Sequence, residues 1–224
     1  MSEPKASEGV LRRFTPAASA AMRLERRAAG EDGKREARIV GYVARFNVWS
    51  PVYYDFRERI APGFFDGVLG ADVRGLFNHS ADWVLGRTTS GTLALSVDAD
   101  GLRMDCLPPQ SGAVWDVGVA PLERGDVTGA SFSFLLPPEG GCTWERGGDG
   151  VWERTLLRCA ELYDVGPVTF PWYPETELGL ERALEERARM TGERGGAPPA
   201  VQGAGGLSPD LLARSLKVWE MRVP

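Results

Sequence analysis

Histidine is almost missing from this chain. A single one, His79, serves 224 residues. Imidazole is the one side chain whose unperturbed pKa lets it exchange a proton near neutrality, so any acid–base chemistry on a serine has only His79 to draw on. Lysine is nearly as scarce: Lys5, Lys34 and Lys217 lie toward the ends, which disfavours a serine–lysine dyad or a Schiff-base lysine. Cysteine occurs at Cys106, Cys142 and Cys159, an odd and widely spaced set that argues against a disulfide framework. With one histidine and no Cys-x-x-Cys pair, ligands for a zinc site are also short, and no cofactor is expected. Basic charge is not in excess. The formal charge is −5 and the pI about 5.1, which leaves no positive field for a phosphate backbone, so nucleic acid is not an expected partner. No apolar run approaches the roughly 18–20 residues of a membrane span, and residues 1–13 carry no apolar signal core. The membrane is therefore not an expected partner either, and the chain is expected in the cytoplasm of the cell that makes it.

What is present suits one globular domain with tails. Hydrophobic residues make up 43% and aromatics 9%, enough for a packed core. Residues 1–36 mix Arg, Glu, Ala, Ser and Gly and read as a mobile N-terminal arm. The core domain is expected over residues 37–190. Residues 39–46, rich in β-formers, read as its first strand, with further strands over residues 73–78, 92–98, 102–107 and 127–136. A short helix opened by Pro62 is expected over residues 63–69. A second, capped by Ser111 and ended by Gly125, is expected to pack on the sheet through Val114, Trp115, Val117, Val119 and Leu122. Residues 144–169 suggest a hairpin around the Gly-Gly-Asp-Gly turn at 147–150, and residues 174–190 a charged helix. This pattern points to a mainly β, α+β fold: an antiparallel barrel or sandwich with a few helices outside it. Residues 191–207 have a linker composition, and residues 208–224 carry an apolar stripe (Leu211, Leu212, Ser215, Leu216, Trp219) that suits an amphipathic helix.

The candidate nucleophile is Ser131, in Gly129-Ala130-Ser131-Phe132-Ser133-Phe134. Period-two geometry puts Ser131 and Ser133 on one face of a strand and the two phenylalanines on the other. A serine hydroxyl needs a base to remove its proton and a third group to orient that base. The base is then His79. The orienting acid is either Asp164 or Glu161, in Glu161-Leu162-Tyr163-Asp164-Val165-Gly166; their opposite parity lets only one face the site if the strand is regular. A cysteine nucleophile paired with His79 is a further alternative, but nothing around the three cysteines predicts a depressed thiol pKa.

The order of the motifs adds a resemblance. Gly41-Tyr42-Val43-Ala44-Arg45-Phe46-Asn47 precedes Glu58-Arg59-Ile60-Ala61-Pro62-Gly63-Phe64-Phe65. Then come Leu76-Phe77-Asn78-His79, Leu85-Gly86-Arg87-Thr88, Gly129-Ala130-Ser131-Phe132 and Asp164-Val165-Gly166-Pro167-Val168-Thr169-Phe170-Pro171. Over residues 38–182 the chain resembles the prohead proteases of tailed bacteriophages. That resemblance implies a serine endopeptidase with the fold of the herpesvirus maturation proteases, an antiparallel β-barrel flanked by helices. It also implies His79 as general base, Ser131 as nucleophile and Asp164 as orienting acid, with Glu161 in reserve and Arg87 as a candidate for the oxyanion or substrate. The implied substrates are the scaffold and the scaffold-like arm of the major capsid protein, cut inside the assembling procapsid in the host cytoplasm. Self-trimming of the tails and a homodimer are implied as well. The competing expectation is a non-catalytic internal scaffold built on the same fold.

Overall fold

Short runs of alternating apolar and polar residues, punctuated by Gly, Asp and Pro, build a mainly β molecule. The structure is a computed structural model and describes residues 11–15, 20, 22–29, 34–52, 55–170 and 177–192. Among them are twelve strands: β1 Leu11–Thr15, β2 Arg23–Ala29, β3 Lys34–Arg45, β4 Phe56–Ile60, β5 Arg74–Leu76, β6 Val84–Arg87, β7 Leu93–Val97, β8 Gly101–Cys106, β9 Gly129–Leu135, β10 Cys142–Arg146, β11 Trp152–Leu156 and β12 Glu161–Val168. They form a five-stranded sheet in the order β1-β9-β12-β5-β6, a four-stranded sheet β2-β3-β8-β7 and a three-stranded sheet β10-β11-β4. Pairing is antiparallel except at β11–β4 and β12–β5.

The α+β class agrees with expectation. The barrel does not appear, because none of the three sheets closes on itself among the described residues. They are stitched at corners instead: Phe46 bridges Ile60, and just before β7 the Thr92 amide donates to the Arg87 carbonyl at the end of β6 at 3.2 Å.

The core lies under β9. Its inward residues Phe132 and Phe134 meet Phe65 and Phe64, each pair with ring centroids 5.4 Å apart and steeply tilted planes. All four rings are buried, each contributing roughly 1.5–3 kcal/mol of transfer free energy. Phe64 and Phe65 come from residues 61–71, where a helix was expected. The chain makes successive four-residue turns there, because Gly63 and Gly67 take left-handed φ of 88° and 87° and interrupt any helix.

Other expectations are also revised. Residues 1–36, read as a mobile arm, contribute β1, β2 and the start of β3. Among the described residues of this stretch, Arg27 bonds Asp105 and Arg13 bonds Glu58. The helix before Gly125 forms as Ala120–Arg124, but a π turn, Trp115–Val119, precedes it. Pro121 lacks the N–H that a regular ladder needs, and the Ala120 amide reaches back to Trp115 instead. Gly125 closes the helix in the left-handed conformation, φ 80°. No side chain caps the start of the π turn or of the helix it leads into. The turn at 147–150 joins β10 to β11 as expected, whereas residues 151–169 divide between β11 and β12, in different sheets. The charged helix is Glu177–Thr191. The linker lies outside the described residues from 193 onward, as does the whole of 208–224. No helix among the described residues is long and apolar enough to cross a membrane.

Candidate active site

The site is built on the outer face of β9. Cross-strand partners in an antiparallel pair share a face, and Ser131 faces Gly166 while Ser133 faces Asp164. A regular β12 would not allow this. Leu162 pairs with Phe134 on the core face, and two residues later Asp164 should follow it inward. A β-bulge between Leu162 and Asp164 inserts Tyr163 and reverses the parity. Asp164 is thereby turned to the serine face. The same bulge places Glu161 on that face too, but opposite Leu135, about 7 Å further along the strand than Ser133's partner. Glu161 is exposed, and Asp164 is the carboxylate at the ring.

His79 arrives from the turn after β5. The Ser80 amide donates to the Phe77 carbonyl at 3.1 Å, and the two central residues, Asn78 and His79, both have positive φ, 52° and 57°. Two consecutive non-glycine residues in this region carry strain that the surroundings must hold. Asn78 supplies the hold. Its amide donates to the Pro167 carbonyl at 3.1 Å, its Nδ2 donates to Thr169 Oγ1 at 3.0 Å, and its Oδ1 accepts the Thr169 amide at 2.8 Å. The turn is thus clamped to the end of β12. Gly166 permits the approach, since a Cβ there would lie 1.9 Å from the Leu76 carbonyl oxygen.

So delivered, the imidazole is flanked on both sides. Nδ1 lies 2.5 Å from Asp164 Oδ1 and Nε2 lies 2.6 Å from Ser131 Oγ. A carboxylate only accepts, so Nδ1 carries the proton it donates to Asp164 and Nε2 is free to accept the Ser131 hydroxyl proton. Ser133 Oγ lies 3.1 Å from Nδ1, on the carboxylate side of the ring. The two hydroxyls of one strand face therefore straddle the imidazole, and only Ser131 is at the proton-accepting nitrogen. The imidazole is 4% exposed and the Asp164 side chain 11%. Such an arrangement can move a proton from a hydroxyl to an imidazole while a carboxylate stabilises the resulting cation.

Other expected participants lie elsewhere. Arg87 forks onto Asp72 at the exposed end of β6, Nε to Oδ1 at 2.7 Å and Nη2 to Oδ2 at 2.6 Å, an exposed ion pair. All three cysteines are free and buried, and burial above all pushes each thiol up to about 12, the reverse of a reactive thiolate. No group of three His, Cys, Asp or Glu among the described residues is arranged to hold a metal ion.

Three residues that touch the site or the turn bearing it carried no assigned role in the sequence reading: Asn78, Gly166 and Arg13. Asn78 had a signal, since asparagine tolerates left-handed turns. Arg13 had none, lying in a stretch of mixed charge. Yet β1 pairs along β9, with Arg13 opposite Phe132 and Phe14 opposite Ser131, and the Arg13 carbonyl oxygen is 3.0 Å from Ser131 Oγ.

No curated protein and no solved structure matches this chain. The family model described as caudovirus prohead serine protease matches residues 22–190. That span takes in most of the molecule and encloses His79, Ser131 and Asp164 together with the clamp that sets their geometry, and on that match the chain belongs to the caudovirus prohead serine protease family.

Proposed function

We propose that this chain is a serine endopeptidase of phage head maturation in which Ser131 is the nucleophile, His79 the general acid–base and Asp164 the orienting carboxylate. Family membership carries the capsid-maturation role. The assignment of the three residues is supported by one observation: the only imidazole of the chain stands within 2.6 Å of Ser131 Oγ on one side and 2.5 Å of Asp164 on the other. As Ser131 Oγ adds to a peptide carbonyl carbon, its proton passes to His79 Nε2. The imidazolium returns that proton to the leaving amine as the C–N bond breaks, and water, activated by the same nitrogen, then releases the acyl group. Asp164 holds the tautomer throughout. The substrates in this reading are scaffold and the scaffold-like arm of the major capsid protein, inside the procapsid in the host cytoplasm. Trimming of the chain's own tails, a homodimer and the herpesvirus-protease kinship of the fold belong to the same proposal.

The alternative, a non-catalytic internal scaffold, draws on the complete burial of Ser131. A fluorophosphonate probe separates the two. The peptidase reading expects covalent labelling that is lost in Ser131→Ala and kept in Ser133→Ala, together with discrete self-trimming seen by mass spectrometry of the intact chain. Labelling that survives Ser131→Ala, or none in any form of the protein, overturns it.

A further inference from the structure

Ser131 is buried, and β1 lies beside it. This strand runs antiparallel along the edge of β9, the position that an extended peptide takes when it adds to a sheet. It presents one carbonyl, that of Arg13, to the nucleophile. The Arg13 side chain turns to the other face, where it is 8% exposed. There Nη1 donates to Glu58 Oε1 at 2.6 Å and Nη2 to the Glu58 carbonyl at 3.1 Å. The Val48 carbonyl lies at the edge of hydrogen-bond range from Nη2.

The charges around that pocket are unbalanced without Arg13. Glu58 Oε2 accepts from Arg154 Nη1 at 3.2 Å, and Arg154 also bonds Glu186 through Nη2 at 2.8 Å. Two carboxylates thus share one guanidinium, and the cation of Arg13 supplies the missing charge. A buried carboxylate with a free acceptor oxygen and a neighbouring carbonyl fits a guanidinium fork. It does not fit an apolar or acidic side chain, whose arrival would leave Glu58 Oε1 unpaired.

We infer that β1 stands in the place of the substrate, and that the substrate class is an extended polypeptide with arginine immediately before the scissile bond, its guanidinium held by Glu58. The inference rests on the peptidase reading of Ser131 and His79, to which it adds the specificity-determining residue. The Ser131 hydroxyl has one proton, and in donating it to the Arg13 carbonyl oxygen it meets that group at oxygen and not at carbon. A cleavable substrate has the same strand register and the same arginine, with its carbonyl oxygen turned away from the hydroxyl so that Oγ faces carbon.

The test uses the full chain carrying Arg13→Glu, which repels β1 from Glu58, with Arg13→Ala as a milder second form. In a Ser131→Ala background that removes turnover, binding of a capped peptide of residues 9–17 is followed by fluorescence anisotropy. The native peptide is expected to bind about tenfold or more tighter than its Arg13→Glu counterpart. Adding Glu58→Gln is expected to abolish that difference, and equal binding of the two peptides at the outset overturns the inference. With Ser131 present, quenched peptides bearing arginine or leucine before the scissile bond report kcat/KM. A preference for arginine on the order of tenfold or more is expected, and cleavage without preference also overturns it. Arginine-dependent binding without cleavage or probe labelling retains the Glu58 pocket and overturns the peptidase reading instead.

Discussion

Ser131 has one hydroxyl proton and two acceptors within reach, His79 Nε2 at 2.6 Å and the Arg13 carbonyl at 3.0 Å. Which acceptor takes it decides whether the serine is armed. On the other side of the ring, Asp164 and Ser133 both approach Nδ1, at 2.5 Å and 3.1 Å, but only a carboxylate can stabilise an imidazolium there. Asp164→Asn is therefore expected to lower kcat by roughly 10³–10⁴-fold, because an amide either donates to Nδ1 and selects the wrong tautomer or contributes no charge. Ser133→Ala is expected to stay within about tenfold of the native enzyme, since it removes a neutral neighbour and no proton carrier. Steady-state hydrolysis of a fluorogenic peptide checks both. At this scale the sequence was most legible where it was poorest, since one histidine leaves one base to choose and the hydroxyl–phenylalanine alternation faces Ser131 away from the core. The choice between Asp164 and Glu161 was not legible. Each is a carboxylate on one strand, and their facing depends on an irregularity that the residues themselves do not announce.

That irregularity belongs to the scale of the element. The extra residue Tyr163 in β12 moves Asp164 from the phenylalanine side of the sheet to the serine side. Deleting Tyr163 is expected to remove the bulge while leaving Asp164 opposite Ser133, because alternation then turns the residue after Leu162 to the serine face; peptide hydrolysis is retained, and activity and amide exchange in β12 together check this. The turn that bears His79 depends just as closely on Gly166. In Gly166→Ala the new Cβ would lie 1.9 Å from the Leu76 carbonyl oxygen, so the turn must retreat. A displacement of about 1 Å at a catalytic group costs on the order of 10²-fold in rate, and the overpacking costs about 1–3 kcal/mol of stability. Kinetics and thermal melting measure the two effects. Strands such as β3, β7, β8 and β9 could be read from period-two patterning and turn residues. The expected helix over residues 63–69 could not, because its apolar spacing suits a helix while Gly63 and Gly67 adopt backbone angles that end one. The π turn arises for a comparable reason, a proline placed where a helical periodicity continues.

Across the molecule, a buried chain of charges links elements distant in sequence: Arg13 of β1, Glu58 of β4, Arg154 of β11 and Glu186 of the helix Glu177–Thr191. Burial alone would push the Glu58 carboxyl up, but Arg13 and Arg154 outweigh it and hold the group below its ordinary 4.5. A carboxylate depressed in the folded state contributes stability that is fully present above its unfolded pKa and is lost as pH falls through the folded value. The native protein is thus expected to lose melting temperature steeply below about pH 4.5, while Glu58→Gln flattens that acid limb. The same variant leaves Arg154 with one carboxylate fewer, at a cost of roughly 3–5 kcal/mol near neutrality. Melting curves across a pH series check both. None of this network was legible beforehand, since its members read singly as ordinary surface charge and the arm that carries Arg13 looked like solvated tail. The corner bridge between Phe46 and Ile60 is likewise a pairing that strand patterning does not encode.

Strand β1 ends at Thr15 and β2 begins at Arg23, so β1 never diffuses away from the serine it borders. A segment tethered this closely acts as though present at a local concentration in the millimolar range. A rival peptide must reach a comparable concentration around the enzyme before it displaces this built-in competitor. Crowding of the cargo would thereby time the cutting, without a separate messenger.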